Sequence, residues 1–262
     1  MENFQQQGSL AVDISDSGLS YIIYNKGGNL ETGSIAFDNT GNDIKRALEE
    51  TVYNNPVLLN EYSGATIALH SQRFALMPAE ITDTTLAQRV LEASTASIDG
   101  EMLMCEVKNT DAAIACDVPQ GVTAFLQRTF GNPVLLHHLA PLCAYCAAAY
   151  ADDNGCLHIN IGDKEAHIVA TRNGRLQMAN TYPYRQLDDI VYFALAVFKE
   201  CHFDSHADKV MLTGDNELRA QLAEQLRQWI AYVMPEVMPA SALKLGPNAL
   251  KLPFNLITLA LY

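Results

Sequence analysis

The chain has 262 residues, 49% hydrophobic and 18% charged, with a formal net charge of −13. That composition belongs to a folded globular protein of one or two domains, and its negative surface repels phosphate backbones and anionic bilayers, which argues against nucleic acid and membrane as partners. No apolar run reaches the roughly 20 residues a membrane helix needs, and the polar, Gln-rich residues 1–9 do not read as an export leader, so a cytoplasmic protein is expected.

In chain order, Val12 and Ile14, then Leu19, Tyr21 and Ile23, alternate as strand residues do. Asp16-Ser17-Gly18 between them reads as a tight turn. Lys26-Gly27-Gly28-Asn29 marks a second hairpin, and residues 30–37 a third strand. A helix opening at residues 40–42 and running to about Tyr53 places Ile44, Leu48 and Val52 on one face. Residues 65–70 and 73–77 read as the two strands of a hairpin. Residues 82–94 read as a helix, with Leu86, Val90 and Ala93 inward and Thr82 and Asp83 as caps. Strands over 102–107 and 111–118 flank an Asn109-Thr110 turn; a helix over 120–130 and a short strand over 133–138 follow. Pro141 suits position N1 of an Ala-rich helix.

From Leu157 the opening pattern returns. Leu157, Ile159 and Ile161 form a strand, Gly162-Asp163-Lys164 a turn, and Ala166, Ile168 and Ala170 the next strand. Arg172-Asn173-Gly174-Arg175 is a hairpin signal, because Asn-Gly suits a type I′ turn. Leu176, Met178 and Asn180 form the third strand, and a helix from Gln186 to about Glu200 sets Ile190, Ala194 and Phe198 inward. Asp13 aligns with Asn160, Asp16 with Asp163, Gly27 with Gly174 and, after a one-residue deletion, Leu30 with Leu176. A repeat of this size points to two related domains, placed at residues 1–140 and 141–262. Residues 209–213 then form a strand ending in Gly214-Asp215-Asn216, followed by a helix over 217–229 whose stripe of Leu218, Leu222, Leu226 and Trp229 reads as core. Residues 232–237, with Pro235, suit an edge strand, and the apolar residues 246–262 are equally readable as helix or strand.

The six cysteines are Cys105, Cys116, Cys143, Cys146, Cys156 and Cys201. Cys143-Ala-Tyr-Cys146 has the CxxC form just after His137-His138, but a lone CxxC in an Ala-rich helix reads as small hydrophobes, not a zinc or redox pair. The histidines have no HExxH motif, so no metal ligands are assigned. The pairs Asp152–Asp153 and Asp188–Asp189 read as caps or surface charge, and Tyr182-Pro183-Tyr184 as a candidate cleft lining.

The motif order resembles the actin-like ATPase superfamily, which includes actin, Hsp70 chaperones, sugar kinases and bacterial filament proteins. "VDISDSGLSYIIY" is similar to the first phosphate loop, close to G-I-D-L-G-T-T-x-S, and "LHINIGDKEAHIVA" to the second, close to F-D-L-G-G-G-T-x-D. "APLCAYCAAAYADDNG" resembles the connecting helix, and "KVMLTGDNELRAQLAEQL" the adenosine motif. The resemblance implies an α/β fold of two actin-like (ribonuclease H-like) domains, each a mixed sheet with helices, facing across a cleft, in an uncharacterised bacterial family. It implies a cofactor site of Asp13, Asp16, Ser17 and Gly18 from the first loop, Gly162, Asp163 and Lys164 from the second, and Gly214 and Asp215 from the adenosine motif.

That site is degenerate. Triphosphate must lie against bare backbone N–H groups, which glycines allow, and carboxylates must hold the waters of a magnesium ion. Here Ser15 replaces a loop glycine, Asp16 and Ser17 replace two threonines, and Asn160 replaces the metal-side Asp. Asp163 and Lys164 replace two further glycines, and Asp215 replaces the partner of Gly214. Asp13, Asp16, Asp163, Gly162 and Gly214 also have plain roles as turn or cap residues, and Lys164 as a solvated charge. The expectation is a non-catalytic or weakly nucleotide-binding actin-like protein without a cofactor, acting through a protein partner or self-association. The alternative is a small-molecule kinase or ATPase with ATP and magnesium, in which Asp13, Asp16 and Lys164 handle metal and phosphate and Asp16 or Asp163 is the general base. No catalytic residue is assigned.

Overall fold

The computed structural model describes residues 8–25, 30–38, 43–95, 97–151 and 154–262. The turn expected at 26–29, the helix start at 40–42 and the Asp152–Asp153 pair lie outside the described residues.

The elements run β1 (Ser9–Ser15), β2 (Gly18–Tyr24), β3 (Leu30–Ala36), α1 (Ile44–Asn54), β4 (Gly64–Leu69), β5 (Phe74–Pro78), α2 (Thr84–Ser94), β6 (Glu101–Glu106) and β7 (Ala112–Val118). They continue with α3 (Val122–Thr129), β8 (Val134–His137), α4 (Leu139–Ala149), β9 (Cys156–Ile161), β10 (Glu165–Arg172), β11 (Arg175–Pro183), α5 (Leu187–Glu200), β12 (Lys209–Gly214), α6 (Asn216–Leu226), β13 (Tyr232–Pro235) and α7 (Phe254–Leu261).

Two five-stranded sheets repeat one topology. The first has the order β3-β2-β1-β4-β8 and the second β11-β10-β9-β12-β13. In each, the first three strands form an antiparallel meander and the last two run parallel to the leading strand. The leading strands β1 and β9 sit at the centre; β9 is buried throughout, its polar His158 and Asn160 included, and β1 is buried except at the half-buried Ser9, Asp13 and Ser15. The β10–β11 hairpin turns through Asn173 at φ 50° and Gly174 at φ 71°, the pair of positive angles a type I′ turn requires.

Some local expectations change in the tertiary structure. The strands at 64–69 and 74–78 are not a hairpin: β4 joins the first sheet, whereas β5 pairs with β7 in a separate sheet of order β5-β7-β6. On α2 the buried residues are Ala87 and Leu91, and Leu86 is exposed. The helix is turned by one residue, about 100°, because the small Ala87 lets it approach Ala113 and Ala115 of the small sheet. Helix α4 starts at Leu139, so Pro141 is its third residue, still within the first turn, where N–H groups lack intrahelical partners. Helix α6 ends at Leu226; Ile230 fills the core place beyond it and Trp229 is 62% exposed. The C-terminal apolar segment resolves as α7.

One hydrophobic cluster holds the two sheets together. It contains Ala11, Ile22 and Ala68 of the first sheet and Val169, Ala179 and Met211 of the second, with α4 and α7 between. Helix α4 is apolar all round, which fits an element buried on every side. Helix α7 packs on α4 and β1. Fully burying each Leu or Ile of this seam contributes about 1.5–3 kcal/mol.

Candidate functional site

The two sheets face each other across a cleft of about 1360 Å³. All nine residues singled out from the sequence line it: Asp13, Asp16, Ser17 and Gly18 from one side, Gly162, Asp163, Lys164, Gly214 and Asp215 from the other. The parallel strands β1, β4, β9 and β12 end here, where an α/β sheet offers its crevice.

Several of these residues are held by the fold itself. A Cβ on Gly214, at φ +114°, would lie 2.4 Å from the Ile161 carbonyl oxygen, so β9 and β12 can only pair past a glycine. Gly18 is fixed likewise, with Ile35 O at 2.4 Å from a Cβ built there. Asp215 caps α6, accepting from the N–H groups of Glu217 at 2.9 Å and Leu218 at 3.1 Å. Asn160 is buried, and its Oδ1 accepts from the Thr213 hydroxyl at 2.9 Å. Thr213 in turn meets His158 Nε2 at 3.0 Å, and His158 Nδ1 lies 2.9 Å from the Tyr150 hydroxyl. Pro183 lines the cleft, Tyr182 stacks on Phe193, and the Tyr184 hydroxyl donates to Gly162 O at 2.5 Å. Asp189 completes the capping box of α5 with Gln186.

The chemistry gathers at the cleft floor, on the assigned Asp13 together with His70, His138 and Glu165, which the sequence reading did not assign. His70 follows β4, and its Nε2 lies 3.1 Å from Asp13 Oδ1. That ion-pair contact is off the hydrogen-bond line, so Asp13 Oδ1 has no well-aligned donor. Asp13 Oδ2 accepts from Asn255 Nδ2 of α7 at 2.6 Å. On its other side His70 Nδ1 lies 3.2 Å from Glu165 Oε1, at the start of β10 in the second sheet. Burial alone would lower the His70 pKa, but Asp13 and Glu165 outweigh it and raise it to about 10. His70 is therefore an imidazolium clamped between two carboxylates. Burial would raise Glu165, yet the hydrogen bond from His70 and the nearby His167 hold it below the usual carboxylate range.

Three more imidazoles surround this clamp. His138 stacks on His70 with ring centroids 4.0 Å apart and 11° between planes. Its Nε2 lies 3.0 Å from Thr181 Oγ1, which also lies 3.1 Å from His167 Nδ1. A hydroxyl donates one proton only. If it donated to His138, the His138 Nδ1–H would be a buried donor without an acceptor, since that atom has no partner among the described residues. The less costly assignment has His138 Nε2–H donating to Thr181 and Thr181 donating to His167, leaving His138 Nδ1 a bare lone pair. His137 Nε2 lies 2.9 Å from Ser71 O. Burial keeps His137 and His167 neutral, pushing them down to about 3 and about 4, and lowers His138 well below its ordinary value.

The cysteine pair takes no part in the cleft. Cys143 and Cys146 are buried in α4, and burial raises both thiols. Among the described residues no helix is long and apolar enough to cross a membrane.

Comparison places this geometry. A protein-family model described as "Protein of unknown function (DUF3822)" matches residues 3–233. No curated protein matches the sequence. A crystal structure from Bacteroides thetaiotaomicron, described as a protein with actin-like ATPase fold and unknown function, superposes with a TM-score of 0.80 at 20% identity, over 98% of this chain and 99% of that one. The type IV pilus biogenesis complex PilM–PilN gives 0.56 at 15% identity, with 97% of each chain covered. The fold is the actin-like ATPase fold.

Proposed function

Because the chain belongs to the DUF3822 family, and starting from the fold it shares with actin-like ATPases, we propose that it is a non-catalytic two-lobed protein that works through protein contacts. The observation that carries this reading is the Asp13–His70–Glu165 clamp, which ties the first sheet to the second at the cleft floor. Actin-like enzymes need the floor open to triphosphate and its metal; here an ion-paired clamp spans it. Around the clamp, Asp16, Asp163, Asp215 and Glu236 add further carboxylates against Lys164, Arg219 and Lys251. A triphosphate entering would meet this excess of like charge. Gly18, Gly214 and Asp215 each have a structural occupation that needs no ligand.

Protein contact is supported by two observations. PilM, similar in fold, is found in a complex with PilN. On the outer face of the second lobe, Val191 and Trp229 line a smaller concavity of about 270 Å³ with Gln225 and Gln228, and Tyr192 stands 70% exposed nearby on α5.

Calorimetry with millimolar ATP and magnesium tests the reading. No binding heat and an unchanged melting temperature are expected. Tight binding abolished by Asp13→Ala would overturn it in favour of a kinase or ATPase. Light scattering of the purified chain, with and without nucleotide, then separates self-association from a foreign partner.

A further inference from the structure

We infer that His70, His138 and Glu165 form a binding site for a divalent transition metal, zinc above all, at the floor of the cleft. One ligand atom from each of these residues lies within 4.8 Å of the others. The set of two imidazoles and one carboxylate is a donor set zinc accepts.

The surrounding contacts prepare these ligands. A metal-bound imidazole commonly gives its other N–H to a carboxylate or hydroxyl, which fixes ring and tautomer. The His138 ring has that arrangement, and the His70 ring has a carboxylate in ion-pair contact at the same place. His70 Nε2 lies against Asp13 Oδ1 at 3.1 Å, and His138 Nε2 against Thr181 Oγ1 at 3.0 Å. Nδ1 is thus the ligand atom on each ring: bare on His138, and on the His70 imidazolium freed when the ion displaces the Nδ1 proton to solvent. On His138, 8% exposed, that atom has no hydrogen-bond partner among the described residues, an unusual state for a buried polar nitrogen. On His70 it lies 3.2 Å from Glu165 Oε1. Two ligand atoms at about 2.1 Å from a tetrahedral zinc sit about 3.4 Å apart, so this edge is close to formed. The stacked His70 and His138 rings have to tilt toward each other to close the rest, as the 4.0 Å centroid spacing implies.

Charge and access agree. A dication between Glu165 and the Asp13-backed His70 balances two carboxylates that otherwise share one cationic ring. The side chains of His70 and Glu165 are 19% and 23% exposed, so an ion can enter from the cleft and keep one position for water. The buried cysteines are a poor competitor, since burial disfavours their thiolates.

The test uses the full chain, stripped with chelator and free of nucleotide. Zinc is titrated by calorimetry, metal content is measured after gel filtration, and cobalt is used as a visible-spectrum probe of geometry. One equivalent of zinc, and a tetrahedral cobalt spectrum without a thiolate charge-transfer band, are expected. Glu165→Gln and His138→Ala should each weaken binding, and Thr181→Val should weaken it roughly tenfold or more through the tautomer it sets. If His138→Ala does not fold, Glu165→Gln and Thr181→Val decide. No stoichiometric zinc, binding indifferent to these substitutions, or a thiolate band would overturn the site. Nucleotide binding would leave this result standing and count only against the non-catalytic reading.

Discussion

His70 Nδ1 and Glu165 Oε1 lie 3.2 Å apart although one directly follows β4 and the other opens β10. The contact therefore joins two sheets that the chain builds 95 residues apart. It converts an open crevice into one with a cross-braced floor.

Breaking that brace should loosen the lobes. In the metal-free protein, Glu165→Gln keeps the shape but removes the charge facing His70. Urea unfolding should show a loss of about 1–3 kcal/mol, and hydrogen exchange should speed up in the turns at 16–17 and 162–164, which face each other across the cleft. An unchanged exchange pattern would mean the lobes are held by the α4–α7 seam alone.

The buried histidines set opposing pH limits in the metal-free protein. His158 is depressed from 6.5 to about 3 by burial, so its contribution to stability is present above 6.5 and lost as pH falls toward 3. His70 is raised to about 10, so its contribution is full below 6.5 and lost as pH rises through about 10. Urea midpoints should pass through a maximum near neutral pH and fall on both sides. Histidine NMR should find neither ring titrating between pH 5 and 8, His158 staying neutral and His70 charged.

Gly214→Ala should destabilise by more than about 1 kcal/mol, because the native φ of +114° and the Ile161 carbonyl both resist a Cβ. Asp215→Ala should cost about 1 kcal/mol through loss of the α6 cap. Chemical denaturation without nucleotide measures both. A stability unchanged by either would return these residues to a ligand-binding role.

Trp229 is the only tryptophan and stands 62% exposed. Its fluorescence should have the red-shifted emission of indole in water and be quenched freely by acrylamide. Trp229→Ala should change stability by no more than about 0.5 kcal/mol. Quenching protected at high protein concentration would show the outer face of the second lobe covered by another copy.

Much of the scaffold was legible in the residues alone. Alternation in β1 and β2, the Asn173-Gly174 turn and the Ile190–Ala194–Phe198 face are local signals, set by the nearest few residues. The repeat exposed the two lobes, and the nine loop residues do meet at one cleft. The α2 face and Trp229 were misread because which side of a helix is covered depends on what packs there, not on its own periodicity. The separation of β4 from β5 escaped for a similar reason: two strands close in sequence form a hairpin only if no better edge is available, and β7 offered one.

The sequence by itself determined the strands, their turns and the duplicated order, because backbone propensity and hydrophobic period act over short spans. Only the tertiary structure decided that His70, His138, Glu165 and Asp13 meet at one point on the cleft floor. No short-range spacing encodes that meeting; it arises where strand ends of two different sheets, the ends of β1, β4 and β8 and the start of β10, come together at the cleft floor, and partial burial there strengthens each charge contact.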